Sequence, residues 1–267
     1  MQTKAAISRH PTVVLLVIAV LGGLGIVFFF TSCQKGPTPL PPPGPPSKIN
    51  LSGWKLSIPV PNSKGTPTQL EPAYTTSPWM VATPAGGLEF WAPSKGLTTE
   101  NSDHPRTELN SLTNFRGGQE ARTLRASVTP LQVPEDGQGI ILGQIHGADD
   151  ISSVPYVMVR YQKDAVKVIV KQVQNGDDKL EYPLLEDLPL NTRFDFTISD
   201  NGTGEMTFTA TRDGKTTDVT APVPAAFIGA TVRFQAGDYQ QADNPGSPTD
   251  GGRVVFHQLA EAPGAAP

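Results

Sequence analysis

Three separated stretches of this 267-residue chain carry side chains that can bind an acid and move a proton. Residues 232–241 read Val-Arg-Phe-Gln-Ala-Gly-Asp-Tyr-Gln-Gln. At a period of two, Val232, Phe234 and Ala236 share one side of a strand, and Arg233, Gln235, Gly237, Tyr239 and Gln241 the other. In His-Pro-Arg-Thr-Glu-Leu-Asn, residues 104–110, Arg106, Glu108 and Asn110 share one face. A glutamate two residues from an arginine braces the guanidinium fork and leaves its outer edge free for a carboxylate. Residues 139–146 begin apolar on both faces and then place Gln144 and His146 together on one face. Histidine titrates near neutrality and can take or give a proton at working pH.

An arginine, amides, an imidazole and a phenol suit β-elimination from a uronate polymer. The proton at C5 lies α to a carboxylate, so removing it creates a dianion, which an arginine and an amide on that carboxylate stabilise. A neutral histidine or an ionised tyrosine can take the proton. A tyrosine hydroxyl can protonate the leaving oxygen at C4. Glycoside hydrolysis needs two carboxylates, and Glu108 has no evident partner. No Gly-x-Ser-x-Gly elbow occurs. The single cysteine, Cys33, and four widely spaced histidines exclude a disulfide framework and support no metal site. No metal or organic cofactor is expected.

Strands must position these residues. Thirteen are predicted: 54–58, 79–83, 88–92, 106–112, 122–128, 139–146, 156–162, 166–173, 193–199, 205–211, 217–220, 231–239 and 253–259. Turn signals such as Ala85-Gly86-Gly87, Asn201-Gly202 and Asp213-Gly214 separate them. Only residues 225–228 suggest a helical turn. This is an all-β pattern with enough strands for two stacked sheets, a sandwich or jelly roll.

Lys4 and Arg9 precede an uncharged apolar run from Pro11 to Ser32, and small residues then precede Cys33. Residues 1–33 read either as a lipoprotein signal, with Cys33 the lipidated residue, or as an uncleaved signal anchor. Either reading exports the chain as a membrane-tethered protein, at the outer membrane or cell surface if lipidated; secretion is the alternative. The proline-rich residues 34–48 form a stiff spacer. Residues 49–260 form one domain, and 261–267 a disordered tail. Taking Lys4 and Arg9 from the 21 basic residues leaves 19 against 25 acidic ones, net −6. That balance argues against nucleic acid, and leaves room for an acidic polysaccharide in a locally basic groove. A monomer is expected.

Arg106-Thr107-Glu108-Leu109, Gln144-Ile145-His146 and Ala236-Gly237-Asp238-Tyr239-Gln240-Gln241 resemble, in order and spacing, three blocks of the alginate lyases of polysaccharide lyase family 7. Residues 54–60 and 90–93 are similar to that family too. The resemblance implies a single-domain β-jelly roll, a concanavalin A-like sandwich of two antiparallel sheets. It implies Arg106 and Gln144 as carboxylate neutralisers and His146 and Tyr239 as base and acid. Glu108, Asn110, Arg233, Gln235 and Gln241 are expected to bind substrate. The family often has Arg where Asn110 stands, and Tyr-Phe-Lys in place of Arg233-Phe234-Gln235. Another polyuronate such as glucuronan, or binding without catalysis, therefore stays open. Ile145 in the Gln-x-His block leans toward guluronate.

Overall fold

The computed structural model describes residues 47–100 and 102–264. The readings of residues 1–33, Cys33 included, and of most of the proline-rich spacer lie outside the described residues.

In chain order the strands are β1 (Trp54–Pro61), β2 (Pro67–Leu70), β3 (Met80–Ala82), β4 (Leu88–Pro93) and β5 (Arg106–Arg116). There follow β6 (Ala121–Gln132), β7 (Ile140–Gly147), β8 (Pro155–Gln162), β9 (Ala165–Lys171) and β10 (Lys179–Leu185). The last five are β11 (Phe194–Asn201), β12 (Glu205–Arg212), β13 (Lys215–Pro222), β14 (Thr231–Gln240) and β15 (Gly251–Pro263). The pairings are antiparallel, in an 8-stranded sheet of order β10-β9-β8-β7-β14-β5-β1-β2 and a 7-stranded sheet of order β13-β12-β11-β6-β15-β4-β3. The expected sandwich is present, and the turn at Ala225–Phe227 is a 3-10 turn.

Apolar residues from both sheets form one core, including Leu56, Phe90, Phe115, Phe196, Phe208, Phe234 and Phe256. The alternation in β14 is the device that matters most. Val232, Phe234 and Ala236 are buried in the core, which turns Arg233, Gln235 and Tyr239 to the opposite face. Asp238 follows the core-facing parity and is fully buried there, its Oδ2 accepting from the Ala92 amide at 3.1 Å.

Two strands escaped the sequence reading, β2 and β10. They are the two edges of the larger sheet. Each carries a proline (Pro67, Pro183), which an edge tolerates and which masks the strand pattern. The tail needs a larger correction. Residues 261–263, expected to be disordered, continue β15 in register with β6. Glu261 anchors them by accepting from Ser111 Oγ at 2.5 Å, and Gly264 N donates to Ala121 O. At the other end Ser47 and Lys48, placed in the spacer, already bond to the Gly86 carbonyl.

Candidate active site

Residues directly opposite each other in an antiparallel ladder point to the same face. From β14 outward, Arg233 pairs with His146 and Gln235 with Gln144 on β7. On the other side Gln235 pairs with Asn110, Gly237 with Glu108 and Tyr239 with Arg106 on β5. One strand further, Lys55 pairs with Asn110 and Ser57 with Glu108, and Gln69 on β2 pairs with Ser57. Five adjacent strands thus present one polar face. Gly237 sits in its middle because β14 and β5 approach closely there: a Cβ would lie 2.5 Å from Thr107 O and 2.9 Å from Glu108 Cα.

The face opens into a cavity of about 320 Å³ lined by Lys55, Ser57, Gln69, Arg106, Asn110, His146, Arg233 and Gln235, with Thr99, Glu100, Ser152 and Ser153 from two loops at its rim. Three cations meet in it. Arg106 has a carboxylate partner, Glu108, at 3.2 Å. Arg233 and Lys55 have no ion-pair partner within 4.0 Å among the described residues. Burial holds both below their ordinary pKa, and Arg233 depresses Lys55 further. Two like charges held close, neither in an ion pair, suit the cavity to anions, although Glu100 also lines it and Glu108 acts on Arg233 from below.

Beneath the cations runs a chain of hydrogen bonds. Glu108, fully buried, accepts from Arg106 Nη1 at 3.2 Å and from Gln144 Nε2 at 2.5 Å. Burial raises the Glu108 carboxyl, and Arg106 and Gln144 pull it back. Gln144 Nε2 also donates to Gln235 Oε1 at 3.2 Å, and Gln235 Nε2 to Asn110 Oδ1 at 2.9 Å. Asn110 Nδ2 donates to Ser57 Oγ at 3.2 Å, which also accepts from Gln69 Nε2 at 2.6 Å. Both Glu108 oxygens accept, so Gln144 turns its amide nitrogen toward Glu108, and the chain of donors runs on from there.

His146 is 8% exposed at the cavity wall. Its Nδ1 lies 3.0 Å from the Gly147 carbonyl. A carbonyl only accepts, so Nδ1 carries the proton and Nε2 a free lone pair. Burial, with Arg106 and Arg233 adding to it, lowers the imidazole to about 4, against a raising contribution from the Gly147 bond. The ring is neutral at neutral pH. Tyr239 lies beside Arg106, whose Cζ is 3.6 Å from the ring centroid. Its hydroxyl meets Ser102 Oγ at 3.0 Å.

The sequence-expected residues thus fall into three groups. Arg106, Asn110, His146, Arg233 and Gln235 line the cavity, with Tyr239 packed against Arg106. Glu108 and Gln144 are fully buried under it, which corrects the expectation that Glu108 touches substrate. Its contacts with the cavity run through Arg106 and Gln144. Gln241 stands apart: its amide folds back onto the carbonyls of Tyr239 and Gln240, since β14 ends at Gln240 and the face alternation ends with it. Sequence reasoning missed Lys55, Ser57, Gln69 and Ser102. The signal for Lys55 lay in the alternation of residues 54–58, which opposes Lys55 to the buried Trp54 and Leu56.

A family model described as alginate lyase matches residues 49–261. The chain belongs to the alginate lyases of polysaccharide lyase family 7. A curated alginate lyase of Klebsiella pneumoniae is 25% identical over 286 residues, covering 84% of this chain and 92% of that one. The crystal structure of an alginate lyase from Pseudomonas aeruginosa is similar at 26% identity and a TM-score of 0.69, over 80% of this chain and 99% of that chain. The family 7 alginate lyase A1-II', as a variant in complex with its product (GGG), superposes at a TM-score of 0.70 with 26% identity, over 83% and 100% of the two chains. As an alginate lyase, a polysaccharide lyase, the chain has a polar sheet face whose residues bear on a known class of reaction.

Proposed function

We propose that this alginate lyase cleaves its polymer by β-elimination in the cavity on the larger sheet. The observation that carries this reading is a neutral His146, with its Nε2 lone pair free, at the wall of a cavity holding three cations. Arg106, with Arg233 and Lys55 beside it, holds the uronate carboxylate and takes up the charge that develops when C5 loses its proton. His146 Nε2 accepts that proton. The electron pair forms the C4–C5 double bond, the C4–O bond breaks, and Tyr239 gives its hydroxyl proton to the leaving oxygen. Exchange with water then returns both groups to their starting states. Glu108 and Gln144 hold Arg106 and Gln235 in place. Gln144 was expected to face the carboxylate, yet both its amide protons are engaged within the floor.

We further propose guluronate-containing blocks as the preferred substrate. Ile145 supports this only indirectly, since it is fully buried in the core and can act only by placing its neighbours Gln144 and His146. The positions where the family often carries cations hold Asn110 and Gln235, bonded to each other, and Lys55 and Arg233 supply charge nearby instead. The N-terminal stretch supports export and tethering through Cys33; loss of fatty-acid labelling in Cys33→Ser is the expected result, and retained labelling would remove that assignment. Mass spectrometry of the oligomers tests the reaction type. Products lighter by one water than hydrolysis products are expected, and fully hydrated products would make the chain a hydrolase.

A further inference from the structure

The loop between β4 and β5 brings Ser102 against the active-site tyrosine, and its hydrogen bonds define what it can do there. Ser102 Oγ lies 3.0 Å from the carbonyl of His104 and 3.0 Å from Tyr239 Oη. It accepts from Arg106 Nη2 at 3.1 Å and from the His104 amide at 3.3 Å. A serine hydroxyl has a single proton, and a carbonyl can only accept. While Ser102 donates to His104 O, the proton between Ser102 and Tyr239 must belong to the phenol. Tyr239 then donates, and its proton is held at a fixed direction. The Ser102 oxygen is crowded in this state, with three donors around two lone pairs.

Rotating the serine hydroxyl relieves that crowding once Tyr239 has given its proton away. Ser102 then donates to the phenolate oxygen, while Arg106 and the His104 amide keep Oγ in place. The Arg106 guanidinium already lies over the ring face, so the charge left on the phenol meets a cation and a hydroxyl donor together.

We propose that Ser102 is a positioning residue for Tyr239. It holds the phenol's proton in the resting site, gives it up when the leaving oxygen becomes the acceptor, and turns to donate to the phenolate once that proton has gone. This rests on the assignment of Tyr239 as the acid in the elimination. No atom is gained or lost in the step: one hydroxyl proton changes its acceptor from the His104 carbonyl to the Tyr239 oxygen.

The test compares full-length wild type, Ser102→Ala, Ser102→Thr, Tyr239→Phe and the Ser102→Ala/Tyr239→Phe pair on the polyuronate that wild type cleaves best. Losing a hydrogen bond to a charged group should lower kcat of Ser102→Ala on the order of tenfold to a hundredfold and leave KM within about twofold. Ser102→Thr, which keeps the hydroxyl, should recover most of the rate. The double variant should be as slow as Tyr239→Phe alone, since the serine has nothing left to serve. Unchanged kcat in Ser102→Ala, equal losses in the Ala and Thr variants, or a further loss in the double variant would each overturn the role of Ser102 while leaving the lyase reading intact. Absence of elimination by wild type on every polyuronate would remove both.

Discussion

The base role proposed for His146 rests on surroundings that keep the proton off it. An exposed histidine would lose its lone pair to protonation near pH 6.5. Here burial and two arginines lower the group to about 4. A base works when neutral, so activity should persist as pH falls through 6 and decline only as it approaches 4. A kcat/KM profile on a soluble oligouronate checks this, and an acid limb centred near 6.5 would mean that His146 is not the group observed. Tyr239 makes the complementary prediction. Tyr239→Phe removes the proton for the leaving oxygen and keeps the ring under Arg106, so turnover should fall about 10²–10⁴-fold with binding retained. Calorimetry with an oligouronate separates the two effects; loss of binding along with turnover would make the tyrosine structural.

The elements place these side chains by register, and register explains both what the sequence disclosed and what it withheld. The parity of β14, β5 and β7 was legible because each strand buries apolar residues on its other face: Phe234 behind Gln235, Leu109 behind Asn110, Ile145 behind His146. Which strands lie beside one another was not legible, and Lys55 and Ser57 enter the site only because β1 pairs with β5. Ser102 was hidden for another reason: it lies on a loop, where no period constrains the direction of a side chain. Edge strands β2 and β10 escaped because their prolines read as turn residues. Gly237 marks a close approach of β14 to β5. Gly237→Ala would drive a methyl into the backbone of β5, costing about 1–3 kcal/mol of stability and spreading Tyr239 from Arg106. A lower Tm with reduced kcat is expected; an unchanged Tm would show that the two strands have room to part.

At the scale of the whole molecule, an acidic protein concentrates cations at its proposed site. The chain has a net charge of −4, yet Lys55, Arg106 and Arg233 share one cavity. Lys55→Ala and Arg233→Ala should each raise KM about tenfold at low salt, with the difference from wild type shrinking as salt screens the attraction. KM values independent of these residues would place the substrate elsewhere. The core carries a second electrostatic feature. Asp238 is buried with Oδ1 unpartnered, and desolvation raises its carboxyl well above the ordinary range. Between the ordinary carboxylate range and that raised value, the folded chain holds a proton that the unfolded chain has released. Stability therefore falls as pH rises through this window. Asp238→Asn should raise Tm at pH 8 by the equivalent of about 1–3 kcal/mol, with the gain fading toward pH 4. A variant less stable than wild type at pH 8 would show the carboxylate to be favourable where it stands.

The central claim is that this cavity performs elimination on a polyuronate, and ultraviolet absorbance followed in time tests it most directly. Elimination leaves a C4–C5 double bond conjugated to the carboxylate, which absorbs, and hydrolysis leaves none. Wild type with alginate, polyguluronate, polymannuronate and glucuronan should give a rising signal, steepest on polyguluronate, and His146→Ala should abolish it. Reducing ends appearing without absorbance, or an undiminished signal from His146→Ala, would contradict the mechanism assigned to this site.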